Sequence, residues 1–226
     1  MRFTRVSFSL VLIIHSLSTR SIVCFSSKSE SACKAWLVQS IPTDMPQLSL
    51  VAGVLSTVDV FRWLAGNSTQ SLDILAQYWQ LVAHPDDPCS GDYGYSKAHM
   101  ERFGANEGSS VYKAIEDAAD RKVAIRFLQH SGVYPDYTNE PAKLASGRPN
   151  VKNITLLLSE WWGSGIVHAK VWISDHRDVY IGSANNDWKS LTQGSLAMNE
   201  EGYWCNPTHQ WQRVWLGHLL PTNSVW

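Results

Sequence analysis

Charge is scarce in this chain. Only 17% of its 226 residues are Asp, Glu, Lys or Arg, and 19 cationic side chains nearly balance 20 anionic ones, for a formal charge of -1. That balance excludes a broad electrostatic grip on duplex nucleic acid or an anionic membrane, so an anionic substrate must be held by a local cluster of cations. Long apolar runs are lacking too. The best, from about Val6 to Leu17, falls short of the roughly 20 residues a spanning helix needs. Cysteine is limited to Cys24, Cys33, Cys89 and Cys205, with no CxxC pair. Cys205 and His209 alone cannot complete a four-ligand zinc site, so neither a metal nor another cofactor is expected. Apolar surface is plentiful: 44% of residues are hydrophobic, with 11 Trp, 8 Tyr and 6 Phe. Such a chain is not disordered, and its length suffices for a buried core.

The N-terminus places Arg2 and Arg5 before the short apolar stretch, with Ser16 and Ser18 after it. This order reads as a signal peptide over about residues 1–24, with a short membrane anchor as the alternative. The mature chain is then expected without an integral membrane span, in the secretory pathway, either secreted or in the endolysosomal lumen. Two sequons, Asn67-Ser68-Thr69 and Asn153-Ile154-Thr155, are candidate glycosylation sites. A disulfide is the default for cysteines in an oxidising lumen.

Residues 33–226 read as a single α/β domain. Strands are expected at Ala35–Ser40, Ser71–Trp79, Lys122–Gln129, Asn153–Ser159, Val167–Ser174 and Val179–Ser183, from short apolar or alternating runs bounded by turn residues. Helices are expected at Val54–Leu64 and at Val111–Arg121 behind a Ser110 cap. His84–Gly108 and Ser131–Asn150 read as irregular, the second with at most a turn of helix.

The chemistry lies in one stretch: His168-Ala169-Lys170, then Asp175, then Gly182-Ser183-Ala184-Asn185. On a strand, His168 and Lys170 share a face. An ammonium there neutralises phosphate oxygens while the imidazole attacks phosphorus or moves a proton. Ser183 and Asn185 add small neutral donors for the remaining oxygens. Six residue types recur at fixed offsets here, and at about 5% usage each a chance match at one start is of order 1 in 10^7 to 10^8.

The pattern HxK-x4-D-x6-GSxN resembles the HKD signature of the phospholipase D superfamily. Cys33–Pro42, Ser71–Trp79 and Val167–Gln193 also resemble its lumenal, phospholipase D3/D4-like branch, which includes 5′ exonucleases on single-stranded nucleic acid. The resemblance implies a phospholipase D-like mixed β-sheet flanked by helices, one half of the usual two-half enzyme. It implies metal-independent phosphodiester hydrolysis through a phosphohistidine. His168 would be a catalytic histidine, Lys170 and Asn185 phosphate ligands, and Ser183 a further donor. Asp175 would support the turn, and Glu200 or Glu201 would orient a histidine. It also implies a Cys33–Cys205 disulfide. The two-step route needs two such motifs, and no second HxK follows Lys170. A homodimer would bring two copies of His168 to one phosphate, or a missing C-terminal region would supply the second.

The expected substrate is single-stranded nucleic acid, or alternatively phospholipid, and a catalytically inactive half-domain is the competing reading. Among the remaining candidates, His176 and Arg177 are expected on the surface, and His84, His99 and His130 as ordinary satisfied residues. Trp161, Trp162 and Trp172 could stack on bases, with core packing the plainer account.

Overall fold

The computed structural model describes residues 34–43, 52–130, 139–158, 160, 163–192 and 201–206. The signal segment, Cys24, Cys33, Trp161, Trp162, Glu200 and His209 lie outside them. The strands are β1 (Lys34–Gln39), β2 (Leu55–Ser56), β3 (Ser71–Ala76), β4 (Trp79–Gln80), β5 (Ala124–His130), β6 (Val151–Leu156), β7 (Lys170–Ser174), β8 (Asp178–Gly182), β9 (Asn186–Asp187) and β10 (Glu201–Asn206). The helices are α1 (Thr57–Asn67), α2 (Lys97–Arg102), α3 (Ala105–Asp120), α4 (Glu140–Ala145) and α5 (Trp188–Thr192).

Eight strands form one mixed sheet in the order β2-β1-β10-β8-β7-β3-β5-β6, and β4 pairs with β9 in a small second sheet. The β3, β5 and β6 trio is parallel, while β7 joins β3 antiparallel and β8 joins β7 antiparallel. This is the expected α/β architecture.

Strand parity decides what each face does. Leu72, Ile74 and Ala76 of β3, Ile125 and Phe127 of β5, Trp172 of β7 and Tyr180 of β8 are all buried. They join Phe61 and Leu64 of α1 and Val111 and Ile115 of α3 in one apolar cluster. Phe61 stacks on Trp172 at 4.3 Å and meets Tyr180 edge-on at 4.7 Å, geometries that aromatic quadrupoles favour. On the other parity Leu75, Leu128, Ile173, Val179 and Ile181 are half-buried, and Val171 is buried. Arg126 there bonds Asp73 across the β3–β5 pairing.

Several boundaries differ from the sequence reading. Residues 84–108 are not all irregular: they contain α2, and α3 begins at Ala105 rather than after Ser110. Two glycines explain the difference. Gly104 turns the chain in the left-handed region at φ 85°, which glycine adopts without a Cβ clash. At Gly108 a Cβ would stand 2.3 Å from the Leu81 carbonyl oxygen and 2.4 Å from Trp188 Cβ, so this helical glycine is a packing contact. Helix α4 lies within the stretch read as loop. Asn139 caps it by accepting from the Ala142 N–H, and a proline stands in its first turn. The α1 helix starts at Thr57, because Leu55 and Ser56 pair with β1. The Ser71–Trp79 run breaks after Ala76, and β10 was not among the expected strands.

Candidate active site

The candidate site lies where strand ends converge. Ala76, the last residue of β3, pairs with Lys170 on one side and Gln129 on the other. His168 precedes β7 rather than lying within it, yet the expected pairing of side chains holds. Lys170 Nζ stands 3.0 Å from His168 Nδ1 and 2.9 Å from Nε2, over the ring, and 3.4 Å from the His168 carbonyl oxygen. His168 is exposed, whereas Lys170 is 5% exposed. The cation is therefore sheltered and the imidazole presented.

Burial, and then the Lys170 charge, hold the His168 imidazole below its ordinary pKa. Both act in one direction because each disfavours a second positive charge. The neutral ring keeps a lone pair, and the ammonium keeps its attraction for a phosphoryl oxygen.

The GSxN segment follows from the β7–β8 register. Val171 pairs with Ile181, so Gly182 and Ser183 continue from β8 at the Lys170 end of β7. Ser183 is exposed and Asn185 half-buried. The Asn185 side-chain amide donates toward Ser190 Oγ at 3.5 Å, while its buried Oδ1 has no hydrogen-bond partner among the described residues. On the far side, Gly182 pairs with Gly202, the residue after Glu201.

Asp175 sits at the opposite end of β7 and does something else. Its carboxylate accepts from the Gln70 N–H at 2.8 Å, the Ser71 N–H at 3.0 Å, and the N–H and hydroxyl of Thr69. It therefore fastens the turn before β3 to the end of β7. Burial alone would raise its pKa, but the Ser71, Gln70 and Thr69 donors outweigh it and the carboxyl lies below its usual range. Asp175 and His176 both adopt the left-handed region, at φ 52° and 54°. His176 and Arg177 are exposed as expected, with Arg177 bonded to the buried Asp178.

The structure adds Gln129, Asp187 and Glu140, which the sequence reading did not single out, and gives His130 a partner. Gln129 donates to Thr155 Oγ1 at 3.1 Å and to Asn139 and Asn153 at 3.4 Å. His130 Nδ1 accepts from the Val167 N–H at 3.4 Å, which ties the end of β5 to the approach to His168. Asp187, next to Asn186 in β9, accepts from Tyr78 Oη at 3.2 Å and from the Lys189 N–H at 3.0 Å. Burial raises its pKa. Glu140, 1% exposed, accepts from the Leu81 N–H at 2.9 Å and the Val82 N–H at 2.8 Å. Burial pushes its carboxyl up to about 7 against the pull of those two donors. Asn139 followed by Pro141 was the available signal for this helix start; only tertiary packing reveals the rest. Trp172 is not a stacking platform. It is fully buried on Phe61, with its indole N–H donating to Asn186 Oδ1 at 3.0 Å.

Residues 98–203 match the family model described as "Cardiolipin synthase, PLD-like domain". The chain is 36% identical over 164 residues to "Probable phospholipase D" of Caenorhabditis elegans, covering 71% of this chain and 25% of that protein. It is 31% identical over 159 residues to the virion nicking-joining enzyme of vaccinia virus, covering 70% and 31%. It is 29% identical over 163 residues to the human 5′-3′ exonuclease PLD3, covering 71% and 30%. The chain belongs to the phospholipase D superfamily. Its matched part spans about a quarter to a third of the length of these relatives. No helix among the described residues is long and apolar enough to cross a membrane.

Proposed function

We propose that the chain is a metal-independent phosphodiesterase of the lumenal branch of this superfamily, acting as a 5′ exonuclease on single-stranded nucleic acid. The observation that carries the reading is the placement of Lys170 Nζ within 3.0 Å of both ring nitrogens of an exposed His168. One His168 nitrogen attacks phosphorus and forms an N–P bond while the P–O bond to the leaving group breaks. A histidine of a second half protonates that leaving oxygen, and water then cleaves the N–P bond. Lys170, Asn185 and Ser183 hold the non-bridging oxygens, whose negative charge needs donors that do not reorganise. The second half comes from another copy of the chain or from a region beyond it. Nucleic acid is favoured over phospholipid by the names of the viral and human relatives.

Related features belong to the same reading. The β1–β10 pairing sets Cys205 opposite Ala35, two residues from Cys33, which supports a Cys33–Cys205 disulfide. Asn67 is exposed at the end of α1 and Asn153 is half-buried on β6; both would carry glycans in the secretory lumen.

The test offers 5′-labelled single-stranded oligonucleotide and labelled phosphatidylcholine in EDTA, with the oligomeric mass measured in parallel. Stepwise release from the 5′ end by a dimeric or extended species supports the proposal. Cleavage of the lipid alone, or loss of all cleavage on chelation, overturns it.

A further inference from the structure

The stretch between Tyr93 and Phe103 has no part in the chemistry above, and it carries an unusual group of rings. Tyr93 is 57% exposed and Tyr95 49%. Tyr95 meets His99 edge-on at 6.4 Å and Phe103 at 5.8 Å, and His99 stacks on Phe103 at 6.1 Å. The rings are held in place. Ser96 caps α2 by accepting from the His99 N–H at 3.2 Å, and Phe103 packs against the cluster of Met100, Ala105 and Trp188.

The group is also fastened to the candidate site. Asp92, immediately before Tyr93, accepts from the Gln80 amide and the His84 N–H at 3.0 Å and from the Trp188 indole N–H at 3.3 Å, and it pairs with Lys189. Trp188 and Lys189 follow Asn185 by three and four residues. The loop that presents the rings is thus bonded to the segment that continues from the phosphate ligands.

We propose that Tyr95, backed by His99 and Phe103, and the neighbouring exposed Tyr93 form a stacking platform for unpaired bases of the substrate strand. The inference rests on the reading of the His168 site as a nuclease for single strands. Aromatic faces accept any base without reading sequence, and a tyrosine freezes few rotors when it does so. The two tyrosines end in hydroxyls, α2 carries Arg102 and a Lys97 paired with Glu101, and Asp92 is neutralised by Lys189. That chemistry suits a base next to its phosphate better than an acyl chain, which needs aliphatic depth.

Binding is measured by fluorescence anisotropy on the full chain carrying His168→Ala, so that no probe is consumed. The probes are oligothymidylate, an abasic oligonucleotide of equal length, and phosphatidylcholine vesicles. Oligothymidylate is expected to bind at least about fivefold more tightly than the abasic strand. Tyr93→Ala with Tyr95→Ala should erase that preference, and Tyr93→Phe with Tyr95→Phe should keep it. Equal affinity for the two strands, or a preference that survives the double alanine change, overturns the platform. So does an alanine effect confined to vesicle binding. A chain that keeps the base preference but, with His168 intact, cleaves nothing overturns the nuclease reading and leaves the platform standing.

Discussion

The two ends of β7 carry the two halves of one motif and are built in opposite ways. At the His168 end, the imidazole is exposed and, among the described residues, its side chain bonds only Lys170. At the Asp175 end, one carboxylate collects three backbone N–H groups and a hydroxyl from Thr69, Gln70 and Ser71. Between them Val171 and Trp172 are buried in the sheet. A nucleophile must reach solvent and exchange protons, so little can be bonded to it. The strand that aims it must not move, so its other end is bonded heavily. Spacing in the sequence treats the two ends as one signature, whereas the fold leaves one end exposed and fastens the other.

That division is broken first at His168. Replacing it with alanine should lower phosphodiester cleavage by roughly 10^3-fold or more, the scale expected when a nucleophile is removed. The melting temperature should stay within about 1 °C, because an exposed residue is being trimmed. A collapse of the melt would show that the reactive end is structural after all.

Asp175→Ala should do the reverse. It leaves backbone donors unpaired and puts alanine at a positive φ, a loss of about 3 kcal/mol. The melting temperature should fall by roughly 6–12 °C for a domain of this size, with cleavage per folded molecule retained to within about tenfold. Full stability in this variant would remove the anchoring role.

The two carboxylates Asp175 and Glu140 should also respond to pH with opposite signs. Glu140 rises from 4.5 to about 7 on folding, so the folded chain binds the extra proton between those values. Its burial cost is complete above pH 7 and relieved on acidification toward 4.5, a change of roughly 3 kcal/mol in favour of folding. Asp175 lies below its usual pKa, so its contribution is present above the unfolded value and lost as pH falls through the folded one. The lowered pKa values of His84 and His168 act the other way as pH falls, so the Glu140 contribution is read as a difference: the melting temperature of wild type relative to Glu140→Gln should rise from pH 8 to 5. An unchanged slope in the variant would place the acid stabilisation elsewhere.

The smallest effect is read by NMR. Lys170→Met removes the neighbouring charge, so the His168 ring should titrate at higher pH than in the wild type. A downward move would show that Lys170 does not set the imidazole's charge.

The motif was legible because His168, Lys170, Ser183 and Asn185 stand at fixed spacings, which the proposed phosphate chemistry would require together. Strand parity brought His168 and Lys170 together correctly even though His168 lies just outside β7. The helix starts were less legible. Gly104 and Gly108 look like loop residues until Trp188 and the Leu81 carbonyl are seen against α3. Glu140 and Asp187 were missed because their burial depends on β4 and β9, a pairing of two residues each between segments more than a hundred positions apart. Trp172 was misleading in the same way, since sharing the parity of Lys170 does not say how deep in the sheet a ring lies.

The most direct measurement is to quench a reaction with phosphate-labelled oligonucleotide and digest the protein. Label that survives alkali but not acid, on the peptide containing His168 and absent after His168→Ala, is the predicted result. Label on another residue, or turnover undiminished without His168, would contradict the account.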